Sequence, residues 1–264
     1  MQSFRALTSE AVNDAVRRRI VAAIAVVSLL SLLVVDGCTQ CGTPTIMQNG
    51  VPVELPEVAG WTGVVIFSVL GLWAMVLAGI LASDHLSEPL ADGSAVLVLA
   101  RPVSRSTFAL ARLVGALVIA FATGAVLLGG STALLHARNG VAIGAALWGG
   151  LACATGATAV ASLAMTASLF LPRIATLFCV LAAVGAIAVV NALSLFGTEL
   201  SGVSLLLDRF GPPLGTSMVS AVAGWIAPAE VPADPVAIAI RAVAWAVAGV
   251  SLLVVCFRGR DIPN

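Results

Sequence analysis

Six long apolar runs constrain this chain more than any other feature of its sequence. The gaps between them are alternately rich and poor in arginine. A helix that crosses a bilayer needs roughly 20 predominantly apolar residues. The runs that reach or approach this length are 20–36, 61–82, 113–135, 141–171, 174–196 and 236–257. Only 10% of the residues are charged, whereas soluble domains average about a quarter. The sequence therefore predicts an all-α integral membrane protein, a single membrane domain over 1–264 with six transmembrane helices.

The distribution of arginine predicts the orientation of these spans. The chain has 13 basic residues, all of them arginine. Ten lie at the two termini and in one set of alternate gaps, while three lie in the other set or at its edge. Because cytoplasmic loops are enriched in basic residues, both termini are expected in the cytoplasm. The Ala-, Gly-, Val- and Arg-rich composition favours a bacterial origin, so the expected location is the cytoplasmic (inner) membrane, with multiple passes and contact with lipid.

The segment before the first span is expected to form a helix on the cytoplasmic surface of the membrane. Within 1–19, the apolar residues recur at helical spacing and share one face, with charged residues elsewhere. A helix of this kind lies in the plane of the headgroups. A polar tail without fixed structure is the alternative.

The outer segment 197–235, before the last span, is long but not polar. It contains a Gly211-Pro212-Pro213 turn followed by the apolar stretch 214–227, which is too short to span. Non-spanning backbone at membrane depth must be buried against protein. We therefore expect two short helices that lie in the outer leaflet or dip into it; a miscounted seventh span is the alternative.

The one densely charged connection joins the second and third spans. Asp84 and Glu88 are four residues apart and would share a helical face. Pro89 fits the first turn of a new helix, and Ser104 or Ser106 can cap the helix that leads into the third span. The pattern predicts a short helix across the inner membrane face, placed to receive a push from a cytoplasmic partner. A solvated loop whose arginines only set the topology is the alternative.

The same connection resembles that of the ABC-2 type permeases. The elements that carry the resemblance are Asp92-Gly93-Ser94, a hydrophobic stretch, Arg101-Pro102-Val103-Ser104-Arg105, and Arg112 entering the third span. The six spans, the apolar outer segment and the basic end Phe257–Ile262 are also similar, most of all to the branch associated with maturation of multicopper enzymes, including nitrous-oxide reductase. Two departures are a lysine usual where Arg112 stands and an acid-rich lead-in that is thinner here.

The resemblance implies a dimer of permease subunits, either homodimer or heterodimer, with two separate cytoplasmic ABC ATPase subunits. A coupling helix would then seat in a groove of the ATPase, and the residues implied in this coupling are Asp84, Glu88, Asp92, Arg101, Pro102 and Arg105. The chain has no lysine and hence no G-x-x-x-x-G-K-[ST] phosphate loop. ATP and Mg²⁺ would therefore be bound by the partner subunit, and no cofactor, metal or catalytic residue is expected in this chain.

Cys38 and Cys41 form a C-x-x-C pair just after the first span, on the expected outer side. A disulfide, a metal pair and an incidental pair are all open. No histidine follows Cys41, which excludes attachment of a c-type haem. Two cysteines are too few for a closed zinc site, whereas thiolates would suit Cu(I).

Asn191 is the main strongly polar side chain deep within a span. It can line a substrate path or hydrogen-bond to another helix. With zero net charge, nothing indicates nucleic acid as a partner.

These observations favour a transport subunit that exports or translocates an unidentified substrate, of lipid-like or amphipathic character because the spans are almost uncharged. A non-transporting membrane scaffold or maturation factor for an extracytoplasmic metalloenzyme is the alternative. No G-x-S-x-G motif is present, nor a Ser, His and Asp set at plausible depth, and this disfavours an intramembrane hydrolase.

Overall fold

A computed structural model describes residues 2–17, 20–40, 46–48, 51–53, 56–91, 93, 104–139, 143–195, 197–226 and 234–259. In these ranges the helices are α1 (Gln2–Arg17), α2 (Ile20–Gln40), α3 (Pro56–Ala91), α4 (Arg105–Asn139), α5 (Gly144–Ala167), α6 (Arg173–Leu195), α7 (Val203–Phe210), α8 (Leu214–Ile226) and α9 (Pro235–Gly259). A small antiparallel hairpin follows α2, in which β1 (Ile46–Gln48) pairs with β2 (Val51–Val53).

Five helices of the described ranges are long and apolar enough to cross a membrane. They are α3, α4, α5, α6 and α9. The chain is therefore an α-helical, multi-pass membrane protein. Helix α2 covers the first predicted span with 21 residues, a length of about 32 Å, and α8 is a shorter apolar helix of 13 residues.

Several helix boundaries differ from those of the apolar runs. Helices α3 and α4 extend well beyond 61–82 and 113–135, because their ends continue into polar sequence. Pro89, which fits the first turn of a new helix in the sequence, lies instead within α3, which continues to Ala91. A proline beyond the first turn of a helix removes one backbone hydrogen bond, and here that bond is lost near the carboxyl end of α3. Helix α5 covers the fourth run, 141–171, only from Gly144 to Ala167, and a turn over 168–172 leads directly into α6.

Helix α5 forms the centre of the bundle, where it packs against α3, α4, α8 and α9. Small residues permit these close approaches. A Cβ added to Gly156 of α5 would lie 2.6 Å from the sulfur of Met75 on α3, and one added to Gly249 of α9 would overlap Ser162 Oγ on α5. Close packing of this kind drives helix association in lipid, where apolar burial alone gives no advantage.

Helix α1 is attached to the first half of α4. Leu7 and Ala11 are buried in the contact, and a Cβ on Gly115 of α4 would lie 2.6 Å from that of Ala11. The Arg112 Nη1 atom lies 3.7 Å from the Asp14 carboxylate. The apolar face seen in the sequence of α1 thus packs against protein.

The two ends of the bundle differ in which helices begin and finish there. At one end, called the connector end, α3 and α9 finish, while α4 and α6 begin, and residues 92–104 connect α3 to α4. At the opposite end, called the distal end, α5 and α9 begin and α6 finishes.

Candidate functional site

Helices α7 and α8 form a re-entrant pair at the distal end. Leu214, at the start of α8, lies beside Gly156 of α5, whereas Trp225, near its end, lies beside Gly144 at the start of α5. The 12 positions between the two glycines correspond to about 18 Å. The turn Gly211–Pro213 between the two helices is buried. Helix α8 therefore starts near mid-depth and returns to the distal end.

The carboxyl end of α7 has a donor for each of its last four carbonyl oxygens, which have no partner within a helix. The Leu207 oxygen accepts a hydrogen bond from the Gly211 N–H at 2.8 Å. Arg241 Nη1 on α9 donates to the Asp208 and Arg209 oxygens at 2.8 and 3.1 Å. Trp245 Nε1 on α9 donates to the Phe210 oxygen at 2.9 Å. The Arg241 charge also matches the negative end of the helix dipole.

The N–H groups at the amino end of α8 also have hydrogen-bond partners. Asn191 Oδ1 on α6 accepts from the Gly215 N–H at 3.0 Å and from the Thr216 N–H at 3.5 Å. The Leu214 and Ser217 N–H groups donate to the oxygens of the two prolines of the turn. Since proline has no N–H, the buried turn adds no donor at either proline.

Three side chains from α6 and α9 thus complete the backbone hydrogen bonds of the re-entrant pair. Backbone N–H and C=O groups that lie away from water require such partners. Asn191 is 1% exposed, and its Nδ2 atom has no hydrogen-bond partner. The neighbouring Thr216 Oγ1 is likewise buried without a partner.

At the connector end, an ion pair joins α3 to α6. Arg173 Nη2 donates to Asp84 Oδ2 at 2.7 Å. The Asp84 side chain is 12% exposed and that of Arg173 is 63% exposed. Asp84, which the resemblance implies in coupling, is therefore used within the subunit and ties the end of α3 to the start of α6.

A second set of contacts joins the start of α4 to the end of α9. Ser104 Oγ accepts from the Thr107 N–H at 3.1 Å, so Ser104 is the N-cap of α4, as one of the two sequence predictions had it. Arg105 Nη1 donates to the Arg258 carbonyl oxygen at 3.5 Å. The rings of Phe108 and Phe257 stack with centroids 6.1 Å apart.

Several predicted site residues lie outside the residues that the structure describes. These are Asp92, Arg101, Pro102 and Cys41, together with the side chains of Glu88 on α3 and Cys38 on α2. Within the described ranges, no group of three or more His, Cys, Asp or Glu side chains is placed to hold a metal ion.

Apolar cavities adjoin α3. One of about 720 Å³ is lined by α2, α3 and α6, and one of about 620 Å³ by α3, α6 and α8. The two share lining residues, Val65, Val69, Leu72 and Ala188. A further cavity of about 440 Å³ lies between α5, α8 and α9, with Trp148 and Trp225 in its wall. None of the residues that line these cavities is charged.

The sequence interpretation missed the roles of Arg241 and Trp245. A signal was present, because an ionisable residue inside an apolar run indicates a specific partner. Arg241 was counted only among the outer arginines.

No family model matches this chain, and no curated protein matches it.

Proposed function

We propose that this chain is the membrane-spanning permease subunit of an ABC-2 type transporter. A separate ATPase subunit would bind ATP and Mg²⁺ and drive export or translocation of a lipid-like or amphipathic substrate. The observation that carries the proposal is the attachment of the charged connection at both of its ends. Asp84, eight residues before the connection, bonds α3 to α6, and Arg105, directly after the connection, bonds α4 to α9. A force that the ATPase exerts on this connection would act directly on α6 and α9.

The topology proposed for the subunit has six crossings. Helix α2 would be the first, since its length of about 32 Å matches the hydrocarbon core of roughly 30 Å. The arginine distribution supports a cytoplasmic connector end and cytoplasmic termini in a bacterial inner membrane. The re-entrant pair α7–α8 would then open towards the outside.

A second permease subunit, identical or homologous, would cover part of the exposed helix faces. In the single chain, only 28% of the apolar stretch of α6 and 17% of that of α9 is buried. Lipid would cover the remainder. The charge-free cavities along α3 support an apolar or amphipathic cargo, because an ionic cargo would find no oppositely charged side chain there.

Purification of the tagged protein from its native host, followed by identification of bound subunits, tests the proposal. We expect an ATPase with a phosphate loop to co-purify, and its ATP turnover in lipid nanodiscs to rise when the permease is present. An exposed ion pair contributes up to about 1 kcal/mol, so Arg101→Ala should reduce this stimulation modestly. The double reversal Asp92→Arg with Arg101→Asp should abolish it.

Arg5→Ala is the matched control, since Arg5 is exposed on α1, outside the connection. This variant should stimulate turnover as the wild type does. Unchanged ATPase binding and turnover in the double reversal would contradict the coupling role. Recovery of a metalloenzyme without an ATPase would favour the scaffold alternative.

A further inference from the structure

The cavity of about 440 Å³ beside α9 has a wall of its own. One face each of α5, α8 and α9 lines it, and none of these residues also lines the cavities along α3. On α5 the lining residues Trp148, Leu151 and Thr155 recur at helical spacing and share one face. Closer to the connector end α5 and α9 touch, since a Cβ on Gly249 of α9 would overlap Ser162 Oγ on α5. The cavity is therefore a cleft between the two helices that closes towards the connector end.

The cleft extends from the distal end to near the middle of the spans. Its deepest lining residue on α5, Thr155, is 11 positions after Gly144, where the helix begins, which corresponds to about 16 Å. Its deepest lining residue on α9, Val243, is eight positions after Pro235, which corresponds to about 12 Å. The hydrocarbon core of a bilayer is roughly 30 Å thick, so the cleft matches the depth of one leaflet.

Three polar side chains in the wall direct their hydroxyl groups to their own helices. Thr155 Oγ1 donates to the Ala152 oxygen at 2.9 Å. Ser217 Oγ donates to the Leu214 oxygen at 3.0 Å, and Ser220 Oγ donates to the Ser217 oxygen at 3.2 Å. The wall contains no charged residue. Because these hydroxyl hydrogens are already used and water does not occupy apolar cavities, the wall suits a hydrocarbon chain.

Two tryptophans lie in the distal part of the cleft. The ring of Trp225, near the end of α8, lies beside Gly144 at the start of α5, and Trp148 is four positions further along α5. Tryptophan is enriched at the membrane–water interface, where one end of its ring is in apolar surroundings and the other is wet. The cleft also opens sideways, since Ile240 and Val243 in its wall are 65% and 50% exposed. A lipid chain can therefore enter from the surrounding leaflet, with its headgroup beside the tryptophans.

We propose that this cleft binds one acyl chain of a membrane phospholipid from the leaflet at the distal end. The end of the chain would lie near Thr155 and Ser217, and the glycerol near Trp148 and Trp225. Left empty, the wall would lack dispersion partners, whereas a lipid tail is as apolar as the wall. Contact with three helices distinguishes this lipid from those that cover the outer faces of the bundle on one side only. The site does not depend on the proposed function, whose cargo would use the cavities along α3.

Native mass spectrometry of the purified protein counts the lipids that it retains. The protein is transferred into mild detergent from nanodiscs of palmitoyl-oleoyl phosphatidylethanolamine and phosphatidylglycerol in equal amounts, and we expect one phospholipid to remain on most wild-type chains. Ala239→Phe places a ring in the cleft from α9 and should reduce this fraction at least about fivefold, because the ring takes the place of the chain and its contacts. Ala237→Phe is the matched control and should retain lipid as the wild type does. Ala237 is also exposed, but it lies two positions away on the opposite face of α9 and does not line the cleft.

A phosphatidylethanolamine with a diazirine near the end of one acyl chain locates the retained lipid. Illumination of the detergent-purified protein should label the parts of α5 and α8 around Thr155 and Ser217. This labelling should be lost in Ala239→Phe and kept in Ala237→Phe. If Ala239→Phe does not fold, Val236→Trp makes the same test by narrowing the distal part of the cleft, because Val236 is 63% exposed and has room for a larger side chain.

Several results would overturn the proposal. Retention by Ala239→Phe equal to that of the wild type, or labelling spread over the outer faces, would show that the lipid lies outside the cleft. A wild-type dimer that carries no lipid and separates in Ala239→Phe would make this face an interface between copies. Retention of detergent in place of phospholipid would show an adventitious additive only. Both headgroups should be retained equally, since no charged residue lines the cleft, and retention of one alone would contradict recognition through the acyl chain.

Discussion

Replacing Asn191 with leucine isolates the contact that holds the amino end of α8. Leucine has a similar volume but no acceptor, so the Gly215 N–H, now 3.0 Å from Asn191 Oδ1, loses its partner in a buried position. Leaving a buried donor unsatisfied costs about 1–3 kcal/mol. The Thr216 N–H, at 3.5 Å, is a much weaker contact and adds little.

The same substitution removes a second polar group, which offsets part of this cost. Asn191 Nδ2 is buried without a partner, and the burial of such a group costs about 1–3 kcal/mol in mutational data. Hydrogen bonds between membrane helices average about 0.6 kcal/mol and reach about 1.7. We therefore expect Asn191→Leu to lower the free energy of unfolding by about 1 kcal/mol.

Thr216→Val is the control at the adjacent position, and its expected sign is opposite. Its Oγ1 is buried without a partner, and valine replaces the hydroxyl with a methyl group of similar size. Removing this polar group should raise the free energy of unfolding by up to about 1 kcal/mol. The two variants should then differ by up to about 2 kcal/mol, which is at most roughly a 30-fold change in the folding equilibrium.

Equilibrium unfolding by SDS in mixed micelles measures this difference with the wild type beside both variants. The reasoning would be refuted if both variants shifted stability in the same direction by the same amount. It would also be refuted if Asn191→Leu were as stable as the wild type, because the lost acceptor would then not outweigh the removal of the unpartnered Nδ2.

Three other outcomes are expected from the packing, the topology and the paired cysteines. Gly249→Ala should destabilise the protein, since its Cβ would overlap a serine hydroxyl on α5, whereas Gly185→Ala meets nothing within 4 Å and should be neutral in the same unfolding assay. A cysteine at Ser94 should resist an impermeant maleimide added outside intact cells, and one between α6 and α7 should react; labelling at Ser94 contradicts the orientation. Replacing Cys38 and Cys41 with serine should cost little stability if they form a bridge, because so short a loop removes little chain entropy; thiol counting on the wild type beside activity of the double variant separates a bridge from a metal or redox pair.

The long helices could be predicted from the sequence because lipid imposes a simple rule on it. Nearly every residue of a span faces apolar surroundings, so 236–257 and 174–196 appear as apolar runs despite Arg241 and Asn191, and helices α9 and α6 cover them almost residue for residue. The ends of the helices could not be predicted in the same way. Nothing in the apolarity of 61–82 shows that α3 continues to Ala91, because a helix outside the bilayer no longer needs apolar side chains.

The partners of the re-entrant pair were beyond sequence reasoning for a different reason. Asn191 is 24 positions before Gly215, and Arg241 is 33 positions after Asp208. No local spacing relates such residues. Their meeting depends on the depth at which the chain turns back, and that depth is set by the packing of α8 on the glycines of α3 and α5.

A polar residue in a span is first interpreted as functional. Here, however, the backbone of α7 and α8 already requires these side chains as hydrogen-bond partners. A chain that turns back at mid-depth exposes the last carbonyls of one short helix and the first N–H groups of the next, and lipid satisfies neither. One cation and one indole donate to the carbonyls of α7, and one amide oxygen accepts from the N–H groups of α8. A cation fits only the carboxyl end and an acceptor only the amino end, so the types of Arg241 and Asn191 follow from the direction of the two helices. The position of these side chains on α6 and α9 then decides to which spans the pair is hydrogen-bonded.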